Sequence, residues 1–386
     1  MPGRLLPVLA AAARGRGASR AERADRHWVD ERRVDERRVD ERRVDERWVD
    51  ERRVDEHWVD GYQPMSADSP VRADLLAIAV AAALEAGDLL ASREGRVAVA
   101  ATKSSPTDVV TEMDGRAEEL IRARILAARP DDAILGEEGG QVEGVADPPA
   151  RWVVDPLDGT VNYLYGLHDW AVSIAAEVDG DIVVGAVYVP IRGELFTAVR
   201  GQGAWLESSG GSSAPARDEG GSPERGDGDS LASLVAAGAP GGRPESDSEP
   251  DLQEDSIFGR ARLQCGPGVP LDRALVATGF GYTTQRRTVQ GEVVAALLPL
   301  IRDIRRNGAA SVDLCAVAAN RVDAYYERGL NYWDYAAGAL IAAEAGAVVG
   351  DSRGGPPSTS MTVVAGPVLF GPLRDALAAL DAERDD

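Results

Sequence analysis

The apolar run Trp152-Val153-Val154 ends on Asp155 and continues as Pro156-Leu157-Asp158-Gly159-Thr160. No other stretch of the chain limits its fold so closely. The run reads as a buried strand, and Pro156, with no N–H to give a ladder, is expected to stop its pairing. The turn then exposes the Leu157 carbonyl between the carboxylates of Asp155 and Asp158. These are hard oxygen donors, suited to Mg²⁺ and not to zinc. Gly159 and Thr160 follow at an expected helix start, where unpaired backbone N–H groups favour an anion. A cation cradle beside an anion cradle is what metal-assisted hydrolysis of a phosphate ester requires. Asp at a turn also serves as an Asx turn or a helix cap, and that reading stays open here.

Two more acidic positions belong to the same pattern. Glu137-Glu138 ends the strand-like run Ala133-Ile134-Leu135-Gly136, and Asp334 opens a helical stretch after Trp333. Asp334 could simply cap that helix, and Glu138 could serve a structural role. Around these acids the chain alternates short apolar strands with amphipathic helices. Ser69-Pro70 offers a cap for a helix carrying Leu75, Leu76, Ala79, Val80, Ala83 and Leu84. A second helix is expected over 116–128. Strands are expected over 171–178 and 181–189, joined at Asp179-Gly180, a hairpin dipeptide. Ordered structure is expected to resume at 273–282, followed by helical stretches over 288–302 and 309–319, a strand over 323–327, a helix from about 333 to 345, a strand over 361–366 and a final helix. Together these describe one substantial α/β unit.

Two segments stand outside it. Residues 28–60 repeat a five-residue unit in which Val29, Val34, Val39, Val44, Val49, Val54 and Val59 recur. A step of five turns about 140° on a helix and alternates faces on a strand, so neither structure gains a buried face. Residues 1–64 are therefore expected to form a disordered low-complexity arm. A normal helix start follows Met65, which raises Met65 as an alternative start to Met1. Residues 5–13 resemble a short signal core but contain a proline and no clean cleavage site, so a cytoplasmic location is expected. The second segment, 207–264, is rich in Gly, Ser, Pro and acid, and reads as a disordered acidic loop interrupting the catalytic unit at 65–386. Between Glu207 and Asp255 it holds twelve acidic residues against three arginines.

The formal charge is −22, from 64 acidic and 42 basic side chains, which argues against a nucleic-acid-tracking surface and against anionic membranes. It does not exclude a phosphate ester, because a bound cation inverts the local sign. Cys265 and Cys315 are too few for a disulfide framework or a four-cysteine zinc site, and His27, His57 and His168 are too few for a histidine-rich metal site. Lysine occurs once, at Lys103. Cys315 lies in an apolar run and reads as core.

Four blocks carry a resemblance to the inositol monophosphatases, within the lithium-sensitive, Mg²⁺-dependent phosphatase superfamily that includes fructose-1,6-bisphosphatases. They are Lys103-Ser104-Ser105-Pro106-Thr107-Asp108 with Asp114, Gly136-Glu137-Glu138-Gly139, residues 152–166, and residues 323–347. The resemblance implies a layered α/β/α/β/α sandwich, lithium inhibition and a homodimer. It implies two to three Mg²⁺ ions. Glu137, Asp155 and the Leu157 carbonyl would hold the first, and Asp155, Asp158 and Asp334 the second, with Glu137 also serving a third. It implies that Thr160 and Asp114 orient and deprotonate the attacking water, with Glu137 in the catalytic set. Gly159 and Thr160 would hold the phosphate, while Asp158, Ala310, Glu327 and Asp334 would meet the substrate. Glu327 at a strand end could equally be a solvated carboxylate. Lys103 falls on the loop that closes over the metals in this family. The expected reaction is hydrolysis of inositol 1-phosphate, with a small-molecule phosphate monoester as partner and neither nucleic acid nor membrane. Alternatives are histidinol phosphate, phosphoadenosine phosphate or fructose 1,6-bisphosphate as substrate, or a regulatory relative without catalysis.

Overall fold

A computed structural model describes residues 70–93, 99–102, 109–142, 148–208 and 259–384. The arm at 1–64, Lys103 and the bulk of the acidic loop lie outside the described residues.

In chain order, helix α1 (Pro70–Ala91) is followed by β1 (Val99–Thr102) and β2 (Val109–Thr111), a two-stranded antiparallel ribbon that leads into α2 (Glu112–Ala128). Next come β3 (Ala133–Gly136), β4 (Gly140–Val142), β5 (Arg151–Asp158) and the short helix α3 (Thr160–Tyr165). A meander follows: β6 (Ala171–Val178), β7 (Asp181–Val189), β8 (Glu194–Val199), β9 (Gly203–Ser208) and β10 (Gly259–Arg262). The remaining elements are β11 (Leu275–Thr278), α4 (Thr284–Leu297), β12 (Asp303–Arg305), α5 (Ala310–Ala318), β13 (Ala324–Glu327), α6 (Tyr332–Glu344), β14 (Val348–Gly350), β15 (Thr362–Ala365) and α7 (Pro367–Ala379).

Strands form two main sheets. The larger has the order β10-β9-β8-β7-β6-β5-β3-β4, and the smaller β12-β11-β13-β15-β14. Helices α1 and α2 cover one face of the large sheet through Leu75, Ala79, Ile121 and Ile125, packed against Trp152, Val154, Val172 and Val184. Helices α5 and α6 fill the space between the sheets and are buried on nearly every side, which is why their sequences are apolar all round. Helices α4 and α7 close the outer face of the small sheet through Val289, Val293, Leu369 and Leu373. The described residues thus layer as α/β/α/β/α, as the resemblance implies.

Each sheet contains one parallel pair that matters for function. In the large sheet β3 runs parallel to β5, with Gly136 opposite Val154, so the residue after β3 arrives beside Asp155. In the small sheet β11 runs parallel to β13, with Thr278 opposite Tyr326, so Gly279 arrives beside Glu327. The carboxyl ends of all four strands open toward one crevice, the usual place for a ligand in an α/β sheet. The N-termini of α5 and α6 point into it from between the sheets.

Several sequence expectations are adjusted. Pro156 does not end the strand: β5 continues to Asp158, and the pairing with β6 steps from Asp155–Ser173 to Asp158–Ala171. One extra residue on β5 makes a bulge, where a missing N–H costs no ladder bond. Helix α2 starts at Glu112, earlier than expected, because Thr111 and Asp114 form a capping box. The stretch 288–302 is not one helix; α4 ends at Leu297, and β12 follows. The edges of 207–264 are strand: Glu207 and Ser208 pair with Gly259 and Arg260. The Asp179-Gly180 turn has both residues at positive φ, 54° and 83°, as a tight hairpin needs. Among the described residues no helix is long and apolar enough to cross a membrane.

Candidate active site

The crevice holds a cavity of about 380 Å³. Glu137, Asp155, Leu157, Asp158, Gly159, Thr160, Ala310, Glu327 and Asp334 all line it. Asp114 stands directly behind Thr160, whose hydroxyl lies 3.0 Å from Asp114 Oδ1 and 3.1 Å from the Leu157 carbonyl. These ten residues are therefore at one place, although they span about 220 positions of chain, whereas Glu138 does not line the cavity. Lys103 lies outside the described residues.

Local structure explains each position. Gly159 sits at φ 87°, and a Cβ there would come 2.9 Å from the Asp169 carbonyl, so only glycine turns the chain from β5 into α3. Helix α3 is six residues long, too short to build much of a macrodipole. The Asp155 Oδ1 accepts the Leu157 N–H at 3.0 Å, an Asx-type bond that fixes the bulge. Asp158 is held by α5: Ala310 N donates at 3.2 Å to one oxygen, and Ser311 N and Oγ donate at 2.7 and 2.5 Å to the other. It thereby bolts the large sheet to the helix layer beneath. Asp334 is a cap as well as a cavity wall, accepting the Asn331 N–H at 2.7 Å. Asp114 plays the matching part on α2, accepting from Thr111 N at 2.9 Å.

Electrostatics are dominated by acid held out of water. Asp155 and Asp158 are nearly inaccessible. Burial, reinforced by the charges of Glu137, Asp158 and Asp334, raises the Asp155 carboxyl well above its usual range. Glu137 and Asp155 are close enough to hydrogen-bond, and two carboxylates in contact must share a proton or a cation. Asp334 is raised well above its usual range too, by burial and then by Glu137 and Asp158. Burial pushes Asp158 up to about 6, against the lowering effect of its Ser311 and Ala310 bonds and of Arg306. Glu327 is pushed to about 7, with the Tyr325 hydroxyl 2.6 Å from Oε2. Asp114 is raised by burial, offset by Thr111 and Thr160.

This donor set consists of carboxylates, a carbonyl and a hydroxyl, with no Cys or His among the lining residues. It fits a hard cation such as Mg²⁺, and excess negative charge out of water calls for one. Among the described residues no three of these groups are drawn as tightly together as in a formed ion shell. Asp155, Asp158 and Asp334 are each engaged by backbone N–H groups.

With this geometry in hand, likeness to known proteins becomes informative. The sequence pattern of the inositol monophosphatase family matches residues 72–247 and 248–382. The chain belongs to the inositol monophosphatase family. It is 40% identical over 270 residues to an inositol-1-monophosphatase of Mycobacterium leprae, a span of 68% of this chain and 75% of that one. It is 35% identical over 314 residues to the Escherichia coli K12 protein named Nus factor SuhB, covering 81% and 96%. Among solved structures, Mycobacterium tuberculosis SuhB matches with TM-score 0.57 at 36% identity, covering 82% of this chain and all of that one. The extragenic suppressor protein suhB of Bartonella henselae matches at 0.61 and 30%, covering 79% and 98%.

The cavity also has lining residues that sequence reading passed over. Asp313 lines the cavity, is almost fully buried, and is pushed to about 7 by burial while Asn307 donates to it. In the sequence it sits inside the apolar run Val312–Ala318, where it reads as noise. Arg306 also lines the cavity, and its charge is felt by Asp158, Asp313 and Glu327. With 41 arginines in the chain, nothing in the sequence marks this one. Glu118 does not line the cavity, yet its carboxylate binds the turn that carries Glu137.

Proposed function

We propose that this chain is a Mg²⁺-dependent phosphomonoesterase that hydrolyses inositol 1-phosphate and related inositol monophosphates to inositol and phosphate. The observation that carries the reading is the convergence of Glu137, Asp155, Asp158 and Asp334 on one cavity with the Thr160–Asp114 pair at its wall. Glu137, Asp155 and the Leu157 carbonyl would hold one ion, and Asp155, Asp158 and Asp334 a second, with Glu137 reaching a third. When bound, the ions supply positive charge to the phosphoryl and leaving oxygens and acidify a bound water.

The protein's own residues position and move protons. Asp114 accepts the hydrogen bond from the Thr160 hydroxyl, which turns a Thr160 lone pair toward the cavity. A water held there donates to Thr160 and is aimed at phosphorus. Its proton passes to Thr160 as the Thr160 proton passes to Asp114 Oδ1. Burial raises the Asp114 carboxyl, which suits it to accept that proton. Gly159 and Thr160 present backbone N–H groups to the phosphate. Asp158, Ala310, Glu327 and Asp334, which line the same cavity, would meet the hydroxyl-rich leaving group.

The reading extends to lithium inhibition, a homodimer and a cytoplasmic location. Phosphate release from inositol 1-phosphate, histidinol phosphate, fructose 1,6-bisphosphate and phosphoadenosine phosphate, with and without Mg²⁺, tests it. A clear preference for one of the last three overturns the substrate assignment. A second reading, a regulatory protein that binds a macromolecule, is supported by relatives named Nus factor SuhB. Absence of Mg²⁺-dependent turnover on all four esters would favour that role.

A further inference from the structure

Glu118 lies on α2 one turn after Asp114, is 3% exposed, and does not line the cavity. Its two oxygens are nevertheless spent on the loop after β3. Oε2 accepts the Glu138 N–H at 2.7 Å, and Oε1 accepts the Gly139 N–H at 2.9 Å. The preceding N–H, that of Glu137, donates to the Val154 carbonyl of β5 at 3.2 Å. Three successive backbone donors of the Glu137-Glu138-Gly139 turn are thus fixed, one by the strand carrying Asp155 and two by a single carboxylate.

Two glycines frame this contact. A Cβ on Gly136 would lie 2.5 Å from Glu118 Oε1, and a Cβ on Gly139 would lie 2.7 Å from the same atom. Neither is needed for positive φ. The glycine spacing of Gly136-Glu137-Glu138-Gly139 is the footprint of the Glu118 carboxylate pressing into the turn. Arg122, four residues on, completes the brace: its Nε donates to Glu118 Oε1 at 2.8 Å and its Nη2 to the Gly140 carbonyl at 3.0 Å. Because the carboxylate is buried and accepts charge-assisted bonds, the turn is held stiffly.

We infer that Glu118 is a positioning residue for the ion site, holding the Glu137 side chain against Asp155 through the backbone of the turn. The inference rests on the metal reading above, and its consequence is distinct from fold stability. A turn free to relax lets Glu137 withdraw from Asp155, which lowers cation affinity with little change to the packed core.

Two variants test it. Glu118→Gln keeps the shape but offers one acceptor where two N–H groups need two. Gly139→Ala leaves Glu118 and Arg122 intact and pushes the carboxylate away from the turn. Mn²⁺ binding to each full-length protein is measured by titration calorimetry, the Mg²⁺ concentration giving half-maximal phosphate release is determined, and melting is recorded in chelator. The expected result is at least a tenfold weaker Mn²⁺ affinity and a matching rise in the Mg²⁺ half-saturation point for both variants, with melting of Gly139→Ala in chelator within a few degrees of wild type. If Glu118→Gln fails to fold, Gly139→Ala alone decides. Unchanged Mn²⁺ affinity in the folded variants, beside a wild type that binds the ion, overturns the brace and leaves the phosphatase reading standing. A wild type that binds no Mn²⁺ overturns both.

Discussion

Asp155 and Asp158 are two residues of one strand end and differ in what holds them. Asp155 receives one backbone bond and faces Glu137, whereas Asp158 receives three bonds from Ala310 and Ser311. Replacement by Asn should separate the two. Asp155→Asn keeps the oxygen that accepts Leu157 N–H and can donate its amide to Glu137, so repulsion is relieved. We expect it to melt a few degrees above wild type in chelator, to lose its Mg²⁺-induced rise in melting temperature, and to lose activity by at least a hundredfold. Asp158→Asn sets an amide N–H against a backbone N–H, and a buried unsatisfied donor costs about 1–3 kcal/mol. It should melt below wild type in chelator while losing comparable activity. The reverse order of the two melting curves would show the charge assignment to be wrong. The strand-end acids were legible in the sequence because hard donors cluster within a few residues of a recognisable strand. Asp313, Arg306 and Glu118 were not, because their significance comes from neighbours distant in sequence: Asp158 and Glu327 for the first two, and, for the third, the 138–139 backbone.

At the scale of elements, two helix N-termini carry acids of the site. Asp114 and Asp334 each occupy the third position of a helix and each complete a capping box, on α2 and α6. Capping fixes the carboxylate's backbone and one of its oxygens, leaving the other for the cavity side. Sequence periodicity found both helices but placed the start of α2 four residues late, because residues 112–115 carry no apolar period; the Thr111…Asp114 spacing was the available signal. The continuation of β5 beyond Pro156 was hidden for a different reason: a bulge is a relation between two strands, not a property of one. Thr111 tests the coupling between cap and site. Its hydroxyl contacts Asp114 and receives the Met113 N–H at 3.2 Å. Thr111→Val removes both bonds and should cost about 1–2 kcal/mol of stability, the usual worth of a cap. Activity should fall more than stability alone explains, since Asp114 then keeps only the Thr111 N–H of the two Thr111 groups that orient it toward Thr160. Thermal melting beside kcat at a temperature where both proteins are fully folded checks this, and unchanged kcat would confine Thr111 to capping.

The whole molecule should register the buried acid as a dependence on pH. In the unfolded chain the carboxyls of Asp158, Asp313 and Glu327 ionise near their ordinary values of 3.8 and 4.5, whereas in the folded, metal-free molecule Asp158 holds its proton to about 6 and the other two to about 7. Between about pH 4 and 7 the folded state therefore binds more protons than the unfolded state, and the stability these groups contribute is lost as pH rises through that window. The difference in melting temperature between Mg²⁺ and chelator should accordingly widen from pH 5 to pH 8, as cations replace protons. A difference that stays constant or shrinks would count against a cation at this site. The opposite end of the large sheet carries the last expectation. Ser208 and Gly259 are directly paired, so residues 209–258 leave and re-enter the fold at neighbouring points of β9 and β10. Their replacement by Asn-Gly would close the two strands with the tightest favoured hairpin. Loop-closure entropy grows only with the logarithm of length, so the shortened chain should gain at most about 2–3 kcal/mol. We expect melting to stay level or rise by a few degrees, with Mg²⁺-dependent turnover within about twofold of the full chain, because no residue of β9 or β10 lines the cavity. A large loss of turnover with melting preserved would instead give the acidic segment a direct part in the reaction.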